Sequence, residues 1–223
     1  MHVHEALSTR LSVRDFLSTP VSGEVVREIL TAAARAPSGG NLQPWHVAVV
    51  AGEPLTRLKS LMKDRVVACP EGEPVEYDVY PTSLHSPYRE RRFEVGEDMY
   101  RLLGIPREDK PARRAWFARN YQFFGAPLAL FCSVDRRMGP PQWSDLGMFL
   151  QSVMLLLREH GLDSCPQECW SAYHATVARF IGLPPERMLF CGMAIGYRNP
   201  DHPVNRLVSK RAPLAEFADF VGL

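Results

Sequence analysis

The stretch Ala34-Arg-Ala-Pro-Ser-Gly-Gly-Asn-Leu-Gln-Pro-Trp45 decides how this chain is read. Upstream of it, Val26, Ile29, Leu30, Ala33 and Ala34 recur at three- and four-residue steps, which predicts an amphipathic helix over 25–36. Pro37-Ser38-Gly39-Gly40 ends that helix, and Trp45 to Val50 is a short apolar run that predicts a strand. Helix, glycine-rich bend and strand in that order bring the bend to the edge of a buried sheet. Adjacent glycines let backbone approach a ligand closely, while Ser38, Asn41 and Gln43 supply neutral donors and acceptors suited to hydroxyls and ring heteroatoms. The alternative reading of the same residues is a helix C-terminal turn with incidental polar groups. The bend lacks the lysine and spacing of a P-loop, and no GxGxxG follows a strand.

Composition bounds the rest. The chain has 223 residues, 46% apolar and 23% charged, as in a globular protein with a sizeable core. Lys+Arg 26 against Asp+Glu 25 leaves a net charge of +1, so no global field recruits nucleic acid or an acidic membrane. An anionic ligand therefore needs a local cluster. Five scattered cysteines, Cys69, Cys132, Cys165, Cys169 and Cys191, with no signal peptide read ahead of them, predict a reducing cytoplasmic setting. The longest nearly apolar stretches, Gly125–Cys132 and Met188–Ile195, are far shorter than the roughly 20 residues that span a bilayer.

Further along, the pattern predicts a short helix over 55–61, then four prolines and no regular element over 68–87. Phe93, Glu97, Tyr100 and Leu103, then Trp116, Phe117, Tyr121 and Phe124, predict two helices over 90–103 and 111–124. Segment 68–124 is read as a lid or specificity excursion within one domain of residues 1–223. Strands are predicted over 128–133 and 188–195. A long helix is capped by Ser144, has Asp145 in its first turn and ends at His160-Gly161; another is capped by Ser171 and ends before Gly182. The tail after Tyr197 carries Leu207, Val208, Leu214, Phe217 and Phe220, and must lie against something. The expectation is an α+β fold whose extended tail wraps a twin subunit.

Three constellations could carry chemistry. Arg10 and Arg14, with Ser12 between them, would share one face of a helical turn and clamp a phosphate or carboxylate. Lys210 and Arg211, near Asn205 and Arg206, could close the same clamp; solvated basic residues are the competing reading for both. Cys165-Pro-Gln-Glu-Cys169 holds the one close cysteine pair, but with no second pair a zinc site is not expected even beside His160 or His174. Glu159, Asp163 and Glu168 supply carboxylates around that bend without a fixed spacing, and Cys132 and Cys191 read as buried strand thiols.

Arg10-Leu-Ser-Val-Arg14 followed by Asp15-Phe16, the block from Ala34 to Trp45, the Gly161-Leu162 turn and the late glycine-strand element ending in Lys210-Arg211 occur in an order that resembles the nitroreductase family of flavin enzymes. The resemblance runs from Leu7 to about Phe217, and its middle block is the most specific part. It implies a three-layer α-β-α arrangement with a mostly antiparallel central sheet, a homodimer with active sites at the subunit interface, and bound FMN reduced by transient NADH or NADPH. Arg10, Ser12, Arg14 and Arg211, with Lys210, would hold the phosphate and ribityl end. Asn41 and Gln43 would reach the flavin, often from the opposite subunit, and Pro37, Ser38 and Gly39 would shape its pocket.

Pro166, Gln167, Glu168 and Cys169 would lie along the ring system, where a backbone amide bonds the redox-active nitrogen. Many members carry Glu-Gly where this chain has Glu168-Cys169. The stretch from Tyr77 to Phe124 looks like that of nitrobenzoate-type nitroreductases. Tyr88, Arg89, Arg92, Phe93, Tyr121 and Phe124 are its candidate contacts to an aromatic or anionic substrate. The implied activity is reduction of nitroaromatic or similar electron-poor aromatic compounds by a ping-pong cycle. The alternatives are a flavin reductase or dehydrogenase acting on quinones, enones, halophenols or azolines, or a non-catalytic flavin-binding protein. No metal, nucleic acid or membrane is implied.

Overall fold

The computed structural model describes residues 1–222. Its helices are α1 (Val3–Thr9), α2 (Gly23–Ala33), α3 (Gly52–Ala68), α4 (Tyr88–Leu102), α5 (Lys110–Ala118), α6 (Pro140–Glu159) and α7 (His174–Ile181), and its strands β1 (His46–Ala51), β2 (Leu128–Asp135), β3 (Asp163–Gln167) and β4 (Arg187–Gly196). The sheet order is β1-β2-β4-β3, and every neighbouring pair is antiparallel.

Strand β2 shows why the sheet is a middle layer. Leu128, Leu130, Cys132 and Val134 point to one face, where Leu146, Phe149, Val153 and Leu157 of α6 and Val26, Ile29 and Ala33 of α2 cover them. Ala129 and Phe131 point to the other, against Leu58 and Met62 of α3, Phe123, Trp170 and Val177. A strand buried on both faces reads as one apolar run instead of an alternation. The fold is thus α+β, with helices on both sides of an antiparallel sheet, as expected.

Several boundaries differ from the sequence reading. α3 runs to Ala68, because Leu55, Leu58 and Met62 keep one face in the core beyond the apolar cluster at its start. α6 starts at Pro140, not at Ser144: Gly139 is its N-cap, Pro140 and Pro141 occupy the first turn, and Gln142 accepts the Gly139 N–H at 3.2 Å. Ser144 is inside the helix, donating its hydroxyl to Pro141 O at 2.6 Å, and Asp145 belongs to the second turn. Ser171 falls in the 3-10 turn Glu168–Tyr173, so it does not cap α7. That helix is capped from elsewhere: the Glu73 carboxylate accepts the N–H groups of Ala175 (2.8 Å) and Thr176 (3.2 Å). The helix predicted over 111–124 stops at Ala118 and tightens into 3-10 turns over Arg119–Gly125, where Phe123 and Phe124 adopt φ of 50° and 52°.

Strand β3 was absent from the sequence reading. Asp-Ser-Cys-Pro-Gln has no alternating pattern, and its extended form comes from pairing with Gly192–Gly196 of β4. Its outer edge is closed by a bridge from Ser12 to Ser164.

Candidate active site

Arg10, Ser12 and Arg14 do share a face, but not a helical one. α1 ends at Thr9, and the following residues are extended: Val13 N–H donates to Ser164 O at 3.0 Å. In an extended chain, residues two apart fall on one side. Val13 is fully buried in the core, and the arginines and Ser12 fall on the opposite side. The expected clamp therefore has the period of a strand.

The chain ends meet there. Asn205 accepts the Arg14 N–H at 2.9 Å and donates its amide to Asp15 O and Asn199 O, stitching the tail to the amino-terminal segment. Burial first, then the charge of Arg211, lowers the Arg10 guanidinium below its ordinary value. Arg211 is held in a compact pose, donating to Ser209 O (2.9 Å) and Ser209 Oγ (2.7 Å). Among the described residues Arg10, Arg14 and Arg211 form no salt bridge, in contrast to Arg158 and Arg198, which both pair with the buried Asp163. Lys210 is drawn elsewhere, onto Glu94 of α4.

Beside Arg14 opens a cavity of about 760 Å³. Pro166–Cys169 form one wall, at the end of β3. Tyr77, Tyr100, Trp116, Tyr121 and Phe124 supply aromatic surface, and Arg92 enters from α4 with its guanidinium 4.0 Å from the Tyr80 ring centroid. The floor is braced. Gln167 is buried, donates to Asn120 O (2.8 Å) and Asn120 Oδ1 (3.1 Å), and accepts from Trp170 Nε1 at 3.3 Å. Burial raises the Glu168 carboxyl and pushes the Cys169 thiol up, so Cys169 is held as a neutral thiol.

Of the six residues read as substrate contacts, Arg92, Tyr121 and Phe124 line this cavity. Tyr88, Arg89 and Phe93 do not. Tyr88 packs edge-on against His85, Arg89 pairs with its neighbour Glu90, and Phe93 lies under Arg107 on the exposed face of α4. A resemblance along the segment does not fix which side chains face the cavity, and α4 has no buried residue to orient it.

The glycine block is also displaced from the cavity. Pro37, Ser38, Gly39, Asn41 and Gln43 form an outward-facing turn, with Gly40, Asn41 and Gln43 at φ of 55°, 57° and 50°. Side-chain acceptors help hold it: Gln43 N–H donates to Ser38 Oγ at 3.0 Å, and the Gly39 N–H donates to both carboxylate oxygens of Asp145 at 3.3 Å. Asp145, read as a helix-dipole residue, is in fact the buried anchor of that turn. The elements missed by sequence reading were Tyr77, which donates its phenol to Phe190 O, and Asn120; neither has a local pattern that marks it.

The antiparallel four-stranded sheet between helical layers, with Arg14 lining an aromatic cavity at the end of β3, places the chain among α+β enzymes. The chain belongs to the nitroreductase family, whose profile matches residues 7–197. It is 37% identical over 219 residues to a nitrobenzene nitroreductase of Ectopseudomonas oleovorans, covering 98% of this chain and 96% of that one. It is 35% identical to a 4-nitrobenzoate reductase of Pseudomonas putida, over 97% and 94% of the two chains. Among solved structures it matches the FMN and NADPH-dependent nitroreductase NfnB of Sphigopyxis sp. strain HMH with a TM-score of 0.97 and 50% identity over the whole of both chains. It also matches the FMN-dependent NfnB of Mycobacterium smegmatis in complex with NADPH, with a TM-score of 0.92 and 30% identity over 98% and 97% of the chains.

Proposed function

We propose that the protein is an FMN-dependent oxidoreductase that reduces nitroaromatic and similar electron-poor aromatic compounds with electrons from NADH or NADPH. The observation that carries this reading is that Arg14, stitched through Asn205 to the carboxy-terminal part of the chain, lines the cavity beside the wall Pro166–Cys169. Guanidinium groups without carboxylate partners suit a phosphate monoester carrying about two negative charges. The aromatic cavity suits a flat ring system, so the residues present fit FMN.

FMN, when bound, supplies the hydride and electron chemistry; the chain supplies placement and electrostatics. Arg10, Ser12, Arg14 and Arg211 would hold the phosphate end. The backbone of Pro166–Cys169, fixed through Gln167, Asn120 and Trp170, would carry the ring. Aromatic side chains around the cavity exclude water and orient a second flat molecule. Arg92 would set preference among ring substituents, and segment 68–124 acts as the specificity excursion. The NADPH complex of the M. smegmatis relative supports a nicotinamide donor.

Two features support a homodimer in which the partner's turn at Pro37–Gln43 completes the site. Leu42 of that turn is exposed, and so are Val208, Leu214, Phe217 and Phe220 in a tail joined to α4 by the Arg91–Glu216 and Lys210–Glu94 pairs. No helix among the described residues is long and apolar enough to cross a membrane, and we place the protein in the cytoplasm.

The test is spectroscopic. Purified protein should be yellow, bleach on anaerobic mixing with NADPH or NADH, and regain colour on addition of nitrobenzene or 4-nitrobenzoate. A panel of quinones, enones and halophenols then ranks acceptors. A colourless preparation that takes up no FMN from excess would overturn the reading, and a yellow one that nicotinamide cannot bleach would reduce it to flavin binding.

A further inference from the structure

Behind the main cavity is a second one of about 530 Å³, within the size range of small-molecule sites. Tyr100, Phe117, Tyr121 and Tyr173 line both, so they form a partition between them. The three tyrosine hydroxyls are already committed. Tyr121 donates its hydroxyl to Cys169 O at 3.4 Å, Tyr173 to Cys69 O at 2.8 Å, and Tyr100 to Arg113 O at 3.4 Å. What they offer a ligand is ring surface.

The charge on this cavity is of one sign. Lys110, Arg113 and Arg114, all from α5, line it, and no carboxylate does. Arg113 is spent in a bidentate pair with Glu97 and stacks 4.1 Å from the Tyr100 ring centroid. Lys110 and Arg114 form no salt bridge among the described residues. The main cavity is different: Glu71, Asp78 and Glu168 line it together with Arg14 and Arg92. An apolar pocket with two uncommitted cations and no anion selects a molecule with one flat apolar body and one negative end.

We propose that this second cavity is a binding site for a small aromatic monocarboxylate, its ring against Phe117 and Tyr121 and its carboxylate between Lys110 and Arg114. Because Tyr121 and Tyr173 face both cavities, occupancy here alters the main cavity from behind instead of filling it. The site stands on its own geometry and does not depend on the redox reading.

Isothermal titration of the FMN-loaded protein with benzoate, benzamide and acetate tests it. Benzoate should bind, benzamide should bind roughly fivefold more weakly, and acetate should give no saturable heat. The double variant K110Q/R114Q, altered at two exposed positions, should bring benzoate down to the benzamide level while nitrobenzene reduction stays as in the wild type. Equal affinity for benzoate and benzamide, saturable acetate binding, or unchanged benzoate binding in the variant would overturn the site. So would benzoate inhibition strictly competitive with nitrobenzene, which would put the ligand in the main cavity. Should the protein take up no FMN, the same titration on the flavin-free chain still reads the second cavity.

Discussion

The indole of Trp170 lies directly over the backbone of Gly192: a methyl group at that glycine would stand 2.4 Å from Trp170 Cδ1. Trp170 is fully buried, between Phe123 and Phe131, and donates to Gln167, so a glycine in β4, itself the register partner of Gln167, fixes the wall of the candidate active site on the neighbouring strand. Gly192→Ala should therefore destabilise the fold by about 1–3 kcal/mol through overpacking. Its FMN affinity should fall together with its thermal midpoint, measured by flavin titration and by melting. A variant with the wild-type midpoint would show that Trp170 can move freely.

Asp145 serves the outer turn in the same way. It is buried, and the Gly39 N–H is its hydrogen-bond partner among the described residues. Asp145→Ala removes the acceptor and strands that donor, a loss of about 1–3 kcal/mol. If the turn completes the partner's site, the variant should also dissociate at higher protein concentration than the wild type in sedimentation. Unchanged association with a lowered midpoint would limit Asp145 to folding.

Glu73 gives a pH dependence. Burial works to raise its carboxyl, but hydrogen bonds from Thr176, Arg65 and the Ala175 amide outweigh it, so its pKa lies below the ordinary value of 4.5. The unfolded chain then binds the proton more readily than the folded one, so the stabilisation is complete above about 4.5 and is lost as pH falls through the lower folded value. Glu73→Gln should cost roughly 1–2 kcal/mol at neutral pH in urea denaturation, and the gap to wild type should shrink in acid. A constant gap from pH 7 down to pH 3, about the span that protonates an ordinary carboxylate, would count against the cap.

Arg14→Ala should weaken FMN binding by roughly 10- to 100-fold at low ionic strength. The removed contribution is electrostatic and partly exposed, so salt screens it in the wild type and the two proteins should converge as salt is added. Parallel loss at both ionic strengths, in equilibrium titration, would mean that Arg14 acts through packing.

Much of the fold was legible locally. The apolar run of β2, the stripe of α6 and the Ala34–Trp45 block each carry their signal in consecutive residues, and each was found near its predicted place. The ends of the chain were different. Arg10, Ser12 and Arg14 were correctly grouped but with the wrong period, because two arginines four apart satisfy both helix and strand, and pairing with Ser164 decided between them. Tyr88, Arg89 and Phe93 rest on the family resemblance of their segment, and no buried residue of α4 marks which of its faces turns to the cavity.

The amino-acid sequence by itself determined the layers, since burial of apolar faces follows from the order of side chains along each helix and strand. Tertiary structure alone decided which polar groups work together. Glu73 reaches α7 across about 100 residues of chain, and Asp145 holds Gly39 from a separation of 106. Strand β3 likewise exists only because β4 lies beside it. Hydrophobic burial is nearly non-directional and can be read from local pattern, whereas a hydrogen bond or ion pair needs two partners within a few ångströms.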